Sequence, residues 1–432
     1  MDNLTSDHST FTQPSASAQF FGIPWTFVFP LLILYPMIVA FLRYRRVSQV
    51  LQKYPYRNRA SFASMTNQDA FYIQQVIAEL EFPFVFEKAL QFALFRTYGI
   101  PTISKLLVQT SQFSEPATAT KRYADTAVLV SEFAGSPPES ERVHEALARM
   151  NYIHSHYQKA GKILDDDMLY TLALFACEPY RWVARHEWRE LEDFEKCALG
   201  TFWKSIGDSM GIGYGKLKSG GEGGERWRDG LHWLDEIAEW SDQYEKDYMV
   251  PAESNRKTAE QTVAILLWGL PGPMKPYGRK VVSVLMDDRL RTAMMYEKPP
   301  QVYFTMISTI FAIRKYFLRY LSLPRPRFLQ VHNITDEPSR DGTYYMKVWE
   351  TVPWYIKPSV WNRYSLQSWK SWLMGLPVPG DEGTKYWPQG YKIHELGPDF
   401  MRGKGAEYAK TAMPKIAAER MRGCPFAVPK GQ

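Results

Sequence analysis

The stretch NYIHSHYQKAG, residues 151–161, contains two histidines that are two positions apart, His154 and His156. Each residue of an α-helix turns about 100°, so these two side chains would point about 200° apart. Histidines that share a metal ion on one helix need a spacing of three or four residues, so this pair does not form such a site. His154 is predicted to point inward because it continues an apolar stripe with helical spacing, formed by Val143, Leu147, Met150, Tyr157 and Gly161.

An inward-pointing His154 has two interpretations. A lone histidine on an apolar helix face is more often a hydrogen-bonded core residue than a ligand. A single neutral imidazole on such a face is also what a haem iron takes as its proximal ligand. The small Gly161 on the same stripe would leave room for a flat ring. The pattern of residues alone leaves both interpretations open.

The preceding segment KRYADTAVLVSEF, residues 121–133, adds polar side chains that could face the same interior. Arg122 and Thr126 lie one helical turn apart on a stripe that is otherwise apolar, and such residues need a reason to face inward. The structural interpretation is an ion pair with the nearby Asp125 and a threonine hydroxyl bonded to its own helix. The functional interpretation is a set of polar contacts above a bound cofactor or oxygen. The residues favour neither.

The composition is that of a folded protein with a large core. The chain has 432 residues, of which 45% are hydrophobic and 23% charged, with a formal net charge of +6. That charge is small and dispersed, so no nucleic-acid partner is expected. The three cysteines, Cys177, Cys197 and Cys424, lack CxxC spacing and indicate neither a disulfide framework nor a zinc site. An aromatic content of 15% suits large apolar surfaces or contact with a membrane.

An uncharged stretch near the N-terminus, residues 20–42, predicts a single-pass transmembrane anchor. A helix of this length is sufficient to cross a hydrocarbon core of about 30 Å. Residues 1–19 contain no Lys or Arg, whereas basic residues cluster in 43–53. The excess of positive charge on the cytosolic side of membrane proteins therefore predicts a short lumenal N-terminus and a cytosolic remainder. The Asn3 sequon would then be lumenal and glycosylated.

Residues 60–323 are predicted to form one helical domain, because apolar residues recur there at helical spacing with little alternation. Thr66, with Asp69 three positions later, predicts the start of a helix. Ser136 followed by Pro137 predicts the start of another, since proline is favoured at the first helical position.

The last part of the chain contains one further helix and an extension. Residues 302–321 are apolar first and then interrupted by basic residues, which predicts either an interfacial helix on a membrane or a core helix with an exposed basic end. Residues 324–432 are rich in Pro and Trp and predict an irregular C-terminal extension packed on the helical domain.

Longer strings of the sequence resemble known proteins. The run GIPTISKLLVQTSQFSEPATATKRYADT, followed by NYIHSHYQKAG, resembles the core of the rubber oxygenase (latex-clearing protein) family, over about residues 95–250. Almost the whole chain resembles the MpaB-like family of fungal membrane-bound oxygenases, through strings such as GKILDDDMLYTLALFA, GTFWKSIGD and WLMGLPVPGD.

The resemblance implies a mainly α, globin-like catalytic domain behind one N-terminal transmembrane helix, with haem b as cofactor and O2 as co-substrate. The proximal haem ligand of rubber oxygenases matches His154, which would bind the cofactor through its iron. Their distal Arg-x-x-Lys-Thr motif matches Arg122, Asp125 and Thr126, which become the candidate catalytic residues. This sequence has Asp125 where the family has a lysine.

The resemblance also implies an oxidoreductase that cleaves a C=C bond in the prenyl side chain, such as a farnesyl chain, of a lipophilic meroterpenoid in secondary metabolism. Its partners would be that prenylated aromatic substrate and the endoplasmic reticulum membrane, with the catalytic domain in the cytosol. Two other functions stay open. One is a haem-independent enzyme of a lipid or polyketide pathway in which His154 acts as a base. The other is a non-catalytic membrane-anchored organiser of pathway enzymes.

Overall fold

The computed structural model describes residues 19–20, 23–110, 116–221, 226–350, 352–421 and 423–426. The fold of this part of the chain is mainly helical, as predicted. The predicted glycosylation site Asn3 lies outside the described residues. The α-helices are α1 Trp25–Lys53, α2 Arg59–Phe62, α3 Asn67–Gln75, α4 Pro83–Thr97, α5 Pro101–Gln109, α6 Pro116–Gly135, α7 Glu141–Lys159, α8 Asp165–His186, α9 Asp193–Ser209, α10 Gly230–Tyr248, α11 Glu253–Leu266, α12 Lys275–Leu285, α13 Asp288–Ala293, α14 Gln301–Tyr320, α15 Val360–Arg363, α16 Leu366–Leu373 and α17 Ala406–Arg420.

Shorter elements complete the fold. Two strands of two residues each, β1 Gln19–Phe20 and β2 Ile23–Pro24, pair antiparallel just before α1. A π-helical segment, Val76–Glu81, joins α3 to α4. Short 3-10 turns occur at Gly272–Met274, Arg327–Leu329, Ile393–Glu395 and Asp399–Met401.

The predicted anchor falls on these first elements. Residues 20–42 overlap β1, β2 and the first part of α1, and residues 21 and 22 of that stretch lie outside the described residues. Among the described residues, no helix is long and apolar enough to cross a membrane. The apolar side chains of α1 that the structure describes between 32 and 41 are mostly exposed.

Of the two predicted helix starts, one is confirmed and one is wrong. The Thr66 hydroxyl accepts a hydrogen bond of 3.0 Å from the backbone N–H of Asp69, and α3 begins there. The helix predicted to begin at Pro137 begins only at Glu141. Because Pro137 is itself followed by Pro138, the α conformation is disfavoured at that position, and residues 137–139 form a turn instead.

The core is built mainly from α3, α4 and α7 to α10, which pack on one another with their apolar faces inward. A buried ion pair lies within it. Arg96 donates two hydrogen bonds of 2.6 Å each to the carboxylate of Glu245, and the Tyr170 hydroxyl donates a third of 2.8 Å to the same group. This polar cluster ties α4, α8 and α10 together.

The helix predicted at residues 302–321 is confirmed as α14, and none of its residues is fully buried. Val302, Ile310 and Ile313 expose more than half of their side-chain surface. Beyond the C-terminal end of α14 the chain is held to α1, because the Tyr35 hydroxyl donates to the carbonyl of Leu321 at 2.9 Å. The interpretation of this segment as a core helix is therefore not supported.

The segment after 324 is largely irregular, as predicted, but contains one substantial helix that was not predicted. This helix, α17, packs on α7 and α9 although Pro414 lies inside it. The irregular part forms a second apolar cluster with α6 and α7, in which Tyr355 and Ile393 are almost completely buried. The extension is thus part of the packed protein and covers one side of the α6–α7 pair.

Candidate active site

A cavity of about 250 Å³ lies among α4 to α9. Its lining is mostly apolar, with side chains such as Leu129, Met150, Phe175 and Ile206. The lining also includes the four residues selected from the sequence, which come from α6 and α7 and are Arg122, Asp125, Thr126 and His154. The structure thus brings all four to one cavity, while the role of each stays a prediction.

The two histidines of α7 lie as the helical phase predicts. His154 lines the cavity, whereas the His156 side chain is exposed and its Nδ1 lies 3.0 Å from the carbonyl oxygen of Tyr152. Burial lowers the pKa of His154 to about 4, and the positive charge of Arg122 adds to the effect, so the imidazole is neutral near pH 7. Its Nδ1 is buried and has no hydrogen-bond partner among the described residues.

Gly161 does not have the predicted role. The helix ends at Lys159, and Gly161 follows it with a φ of 63°, a left-handed conformation that commonly ends a helix. Gly161 is exposed and does not line the cavity. Its position on the extrapolated stripe arose because the sequence pattern was continued past the end of the helix.

Arg122 is a buried cation with little to neutralise it. Its Nε and Nη1 have no hydrogen-bond partner among the described residues. The nearest carboxylate oxygen, Oδ2 of Asp125, is 3.7 Å from Nη1, which is too far for a hydrogen bond. Burial lowers the pKa of the guanidinium as a result. Each buried donor without a partner costs about 1–3 kcal/mol, so the arrangement needs an explanation other than stability.

The carboxylate of Asp125 is held by other groups. Lys121 donates to Oδ2 at 2.9 Å, and the Tyr355 hydroxyl donates to Oδ1 at 2.6 Å. Burial and the charge of Asp125 raise the pKa of Tyr355, so its hydroxyl stays protonated as a donor. The Arg122–Asp125 ion pair of the structural interpretation is therefore present, but without a hydrogen bond, and Asp125 makes its hydrogen bonds to Lys121 and Tyr355.

Thr126 forms the bond that its structural interpretation predicts. Its hydroxyl donates to the carbonyl oxygen of Arg122, one turn earlier in α6, at 3.0 Å. The same side chain lines the cavity. The hydroxyl hydrogen is thus already used within the helix, and only the oxygen lone pairs are free to accept a bond from a ligand.

The C-terminal extension supplies part of the wall, which the sequence did not reveal. Gly397 lines the cavity with a φ of 108°, and its carbonyl accepts a hydrogen bond of 3.2 Å from Lys121. A Cβ at this position would lie 2.7 Å from Cδ1 of Ile153, so the close approach requires glycine. Tyr355 also comes from the extension. No motif marked either residue, because both act through contacts more than 200 positions away in the chain.

Comparison with known proteins agrees with the resemblance found in the sequence. The ER-bound oxygenase mpaB′ of Penicillium brevicompactum is 49% identical over 395 residues, which cover 91% of this chain and 93% of that protein. The ER-bound oxygenase mpaB of the same species is 47% identical, covering 83% and 84%. That of Penicillium roqueforti is 52% identical, covering 67% and 98%. This chain belongs to the MpaB family of ER-bound oxygenases. No family model matches it.

Membership of the MpaB family makes the protein an oxidoreductase, and its relatives are named as ER-bound oxygenases. Among the described residues, no group of three or more His, Cys, Asp or Glu side chains could hold a metal ion. That finding concerns ions held by several side chains at once. A haem iron needs only one ligand from the protein. His154 is neutral and borders an apolar cavity, and a neutral imidazole is the form that binds a haem iron. The donor set therefore fits haem.

Proposed function

We propose that this MpaB-family chain is a membrane-anchored haem oxygenase that cleaves a C=C bond in the prenyl chain of a lipophilic meroterpenoid. The observation that carries the proposal is the meeting of two unpartnered buried groups on one apolar cavity. These are the neutral imidazole of His154 and the guanidinium of Arg122. Buried polar groups without partners are rare in native proteins and are concentrated at functional sites.

In this proposal His154 holds haem b through its imidazole. The cofactor would supply the O2 chemistry that no side chain of the chain can provide. The apolar lining, with Leu129, Met150 and Phe175, excludes water and accommodates a hydrocarbon chain. Cleavage of one C=C bond places one oxygen atom of O2 on each carbon, so both atoms are consumed and two carbonyl fragments result.

Arg122 stabilises negative charge that develops on oxygen atoms during the reaction. Its Nε and Nη1 donors have no hydrogen-bond partner among the residues that the structure describes, so no bond to these has to be broken before they act. Fixed donors of this kind are most effective in a cavity without water. Asp125, bonded to Lys121 and Tyr355, is a positioning residue that limits how the arginine can move. Thr126 contributes only as a hydrogen-bond acceptor.

The proposal includes the predicted membrane attachment, with a lumenal N-terminus, an anchor at 20–42 and a cytosolic globin-like domain at 60–323. Exposed apolar side chains on the part of α1 that is described, and along α14, support contact with lipid. The C-terminal end of α14 lies against the middle of α1, because Arg43 donates to the carbonyl oxygen of Ser322 at 3.0 Å. A lipophilic substrate would reach the protein through such a surface.

The alternative in which His154 acts as a general base has less support. A base works best when its pKa lies near the working pH, and the pKa of His154 is lowered to about 4. The alternative of a non-catalytic organiser gives no reason for unpartnered polar groups inside a cavity.

The visible spectrum of the purified full-length protein tests the proposal. The wild type should bind one haem per chain and show a Soret band. His154→Ala should lose it, because the iron loses its protein ligand. His156→Ala is the matched control from the same helix and should keep the band, since its side chain is exposed. A band retained by His154→Ala, or its absence from the wild type, contradicts the proposal.

A further inference from the structure

A smaller cavity of about 100 Å³ lies next to the central one, between α4, α6 and the C-terminal extension. The two cavities have four lining residues in common, which are Leu94, Thr126, Val130 and Phe175. We call the smaller cavity the side chamber. Because the same side chains border both spaces, the two cavities are separated by no more than these side chains.

One side of the side chamber is polar. Glu87, Gln91, Tyr123 and Asn333 all line it. The Gln91 amide donates to Oε1 of Glu87 at 3.3 Å. Oδ1 of Asn333 is buried and has no hydrogen-bond partner among the described residues. A buried acceptor without a partner is available to a donor on a ligand.

The charge of the side chamber restricts the ligands that it can take. No lysine or arginine is among the described residues that line it. Burial and the negative charge of Glu350 raise the pKa of Glu87 to about 7, so the carboxyl is partly protonated near neutral pH. An anionic group would meet Glu87 without a compensating cation. An uncharged group with hydroxyl donors fits better, since both Asn333 and Glu87 offer acceptor oxygens.

The rest of the side chamber is apolar. Ala127 and Leu90 from the helices, and Met346 and Val348 from the extension, provide hydrocarbon surface beside the polar groups. A hydroxylated aromatic ring combines an apolar face with polar edges, and this lining matches both. The central cavity beyond the shared residues is the larger of the two.

We propose that the side chamber binds the uncharged, hydroxylated aromatic head of the substrate, while the prenyl chain passes the shared residues into the central cavity. This inference rests on the proposed function and deepens it, because the head then fixes which double bond reaches Arg122. Ala127 and Glu87 become specificity-determining residues of the reaction. Neither belongs to the group that surrounds the cleaved bond.

The experiment compares two probes, farnesylhydroquinone and farnesol, which have the same chain with and without the aromatic head. Their binding to the full-length protein in detergent is measured by quenching of tryptophan fluorescence. Ala127→Phe should fill the side chamber and raise the dissociation constant of farnesylhydroquinone by about tenfold or more. The dissociation constant of farnesol should change by less than about twofold. Ala127→Ser, which adds only one atom, should leave both dissociation constants near the wild-type values.

A second pair of variants tests the inference even if Ala127→Phe fails to fold. Glu87→Ala should weaken farnesylhydroquinone alone, and Glu87→Gln, which keeps an uncharged hydrogen-bonding group, should restore most of the affinity. Equal effects on both probes, no effect on either, or failure of the wild type to bind the headed probe more tightly would overturn the inference. Wild-type protein that shows the expected binding but cleaves neither probe would contradict the proposed function and leave the side chamber supported.

Discussion

Two largely buried arginines, on two helices that line the central cavity, have opposite surroundings. Arg96 of α4 makes two hydrogen bonds of 2.6 Å to Glu245 and an ion pair of 2.5 Å with Asp287. Arg122 of α6 has two nitrogens without any hydrogen-bond partner in the part of the chain that is described. The partners of Arg96 raise its pKa above the ordinary value, whereas burial lowers that of Arg122.

The contrast separates a residue that serves the fold from one that serves a ligand. A buried cation with complete partners adds little net free energy but becomes indispensable, because its removal leaves the opposite charge unpaired. A buried cation whose donors lack hydrogen bonds lowers the stability of the empty protein, and its removal should relieve that cost. The two arginines should therefore respond in opposite ways to the same substitution.

The largest effect is expected from Arg96→Met. This change leaves the Glu245 carboxylate buried with only Tyr170 as a strong partner, so the free energy of unfolding should fall by about 3–5 kcal/mol. Chemical denaturation followed by circular dichroism measures it. The double variant Arg96→Met with Glu245→Leu should recover part of the loss, since no charge is then left unpaired. A loss below about 1 kcal/mol in the single variant would break the comparison.

Arg122→Met should have the opposite profile. The free energy of unfolding should stay within about 1 kcal/mol of the wild type or rise, because methionine fills the space without unpaired donors. The rate of prenyl-chain cleavage should fall by about 100-fold, the usual loss when one donor to a developing negative charge is removed. Denaturation and product formation are measured on one preparation. A clear loss of stability with normal turnover would assign Arg122 to the fold.

The sequence predicted the directions of the site's side chains better than the point at which α7 ends. Helical phase alone placed His154 on the cavity and His156 in solvent, because a periodicity of 3.6 residues is a strong local constraint. The same reasoning placed Arg122 and Thr126 on an inward face. It went wrong at Gly161, because the apolar stripe was continued through a glycine, the residue type that most often follows the end of a helix.

The groups that hold the site together could not be predicted. Tyr355 and Gly397 reach Asp125 and Lys121 from segments more than 200 residues away, in an extension with no periodic pattern. Contacts at such a separation depend on how the irregular C-terminal extension packs on the α6–α7 pair. The spacing of residues in the sequence does not predict that packing. Whether Arg122 pairs with Asp125 was left open by the sequence for the same reason, since Tyr355 is one of the two groups that occupy that carboxylate.

The smallest effect should come from Thr126→Val, which sharpens the comparison within α6 itself. The hydroxyl donates to the Arg122 carbonyl at 3.0 Å, so the change removes one bond inside a helix and should cost about 1 kcal/mol or less. Since this hydroxyl can only accept from a ligand, turnover should fall by about tenfold or less, well short of the Arg122→Met loss. Thr126→Ser is the control that keeps the hydroxyl and removes the methyl group. Full activity in the valine variant would leave Thr126 as a helix residue that lines the cavity. A loss as large as that of Arg122→Met would mean that the two side chains act as one unit, since groups that act together do not show additive losses.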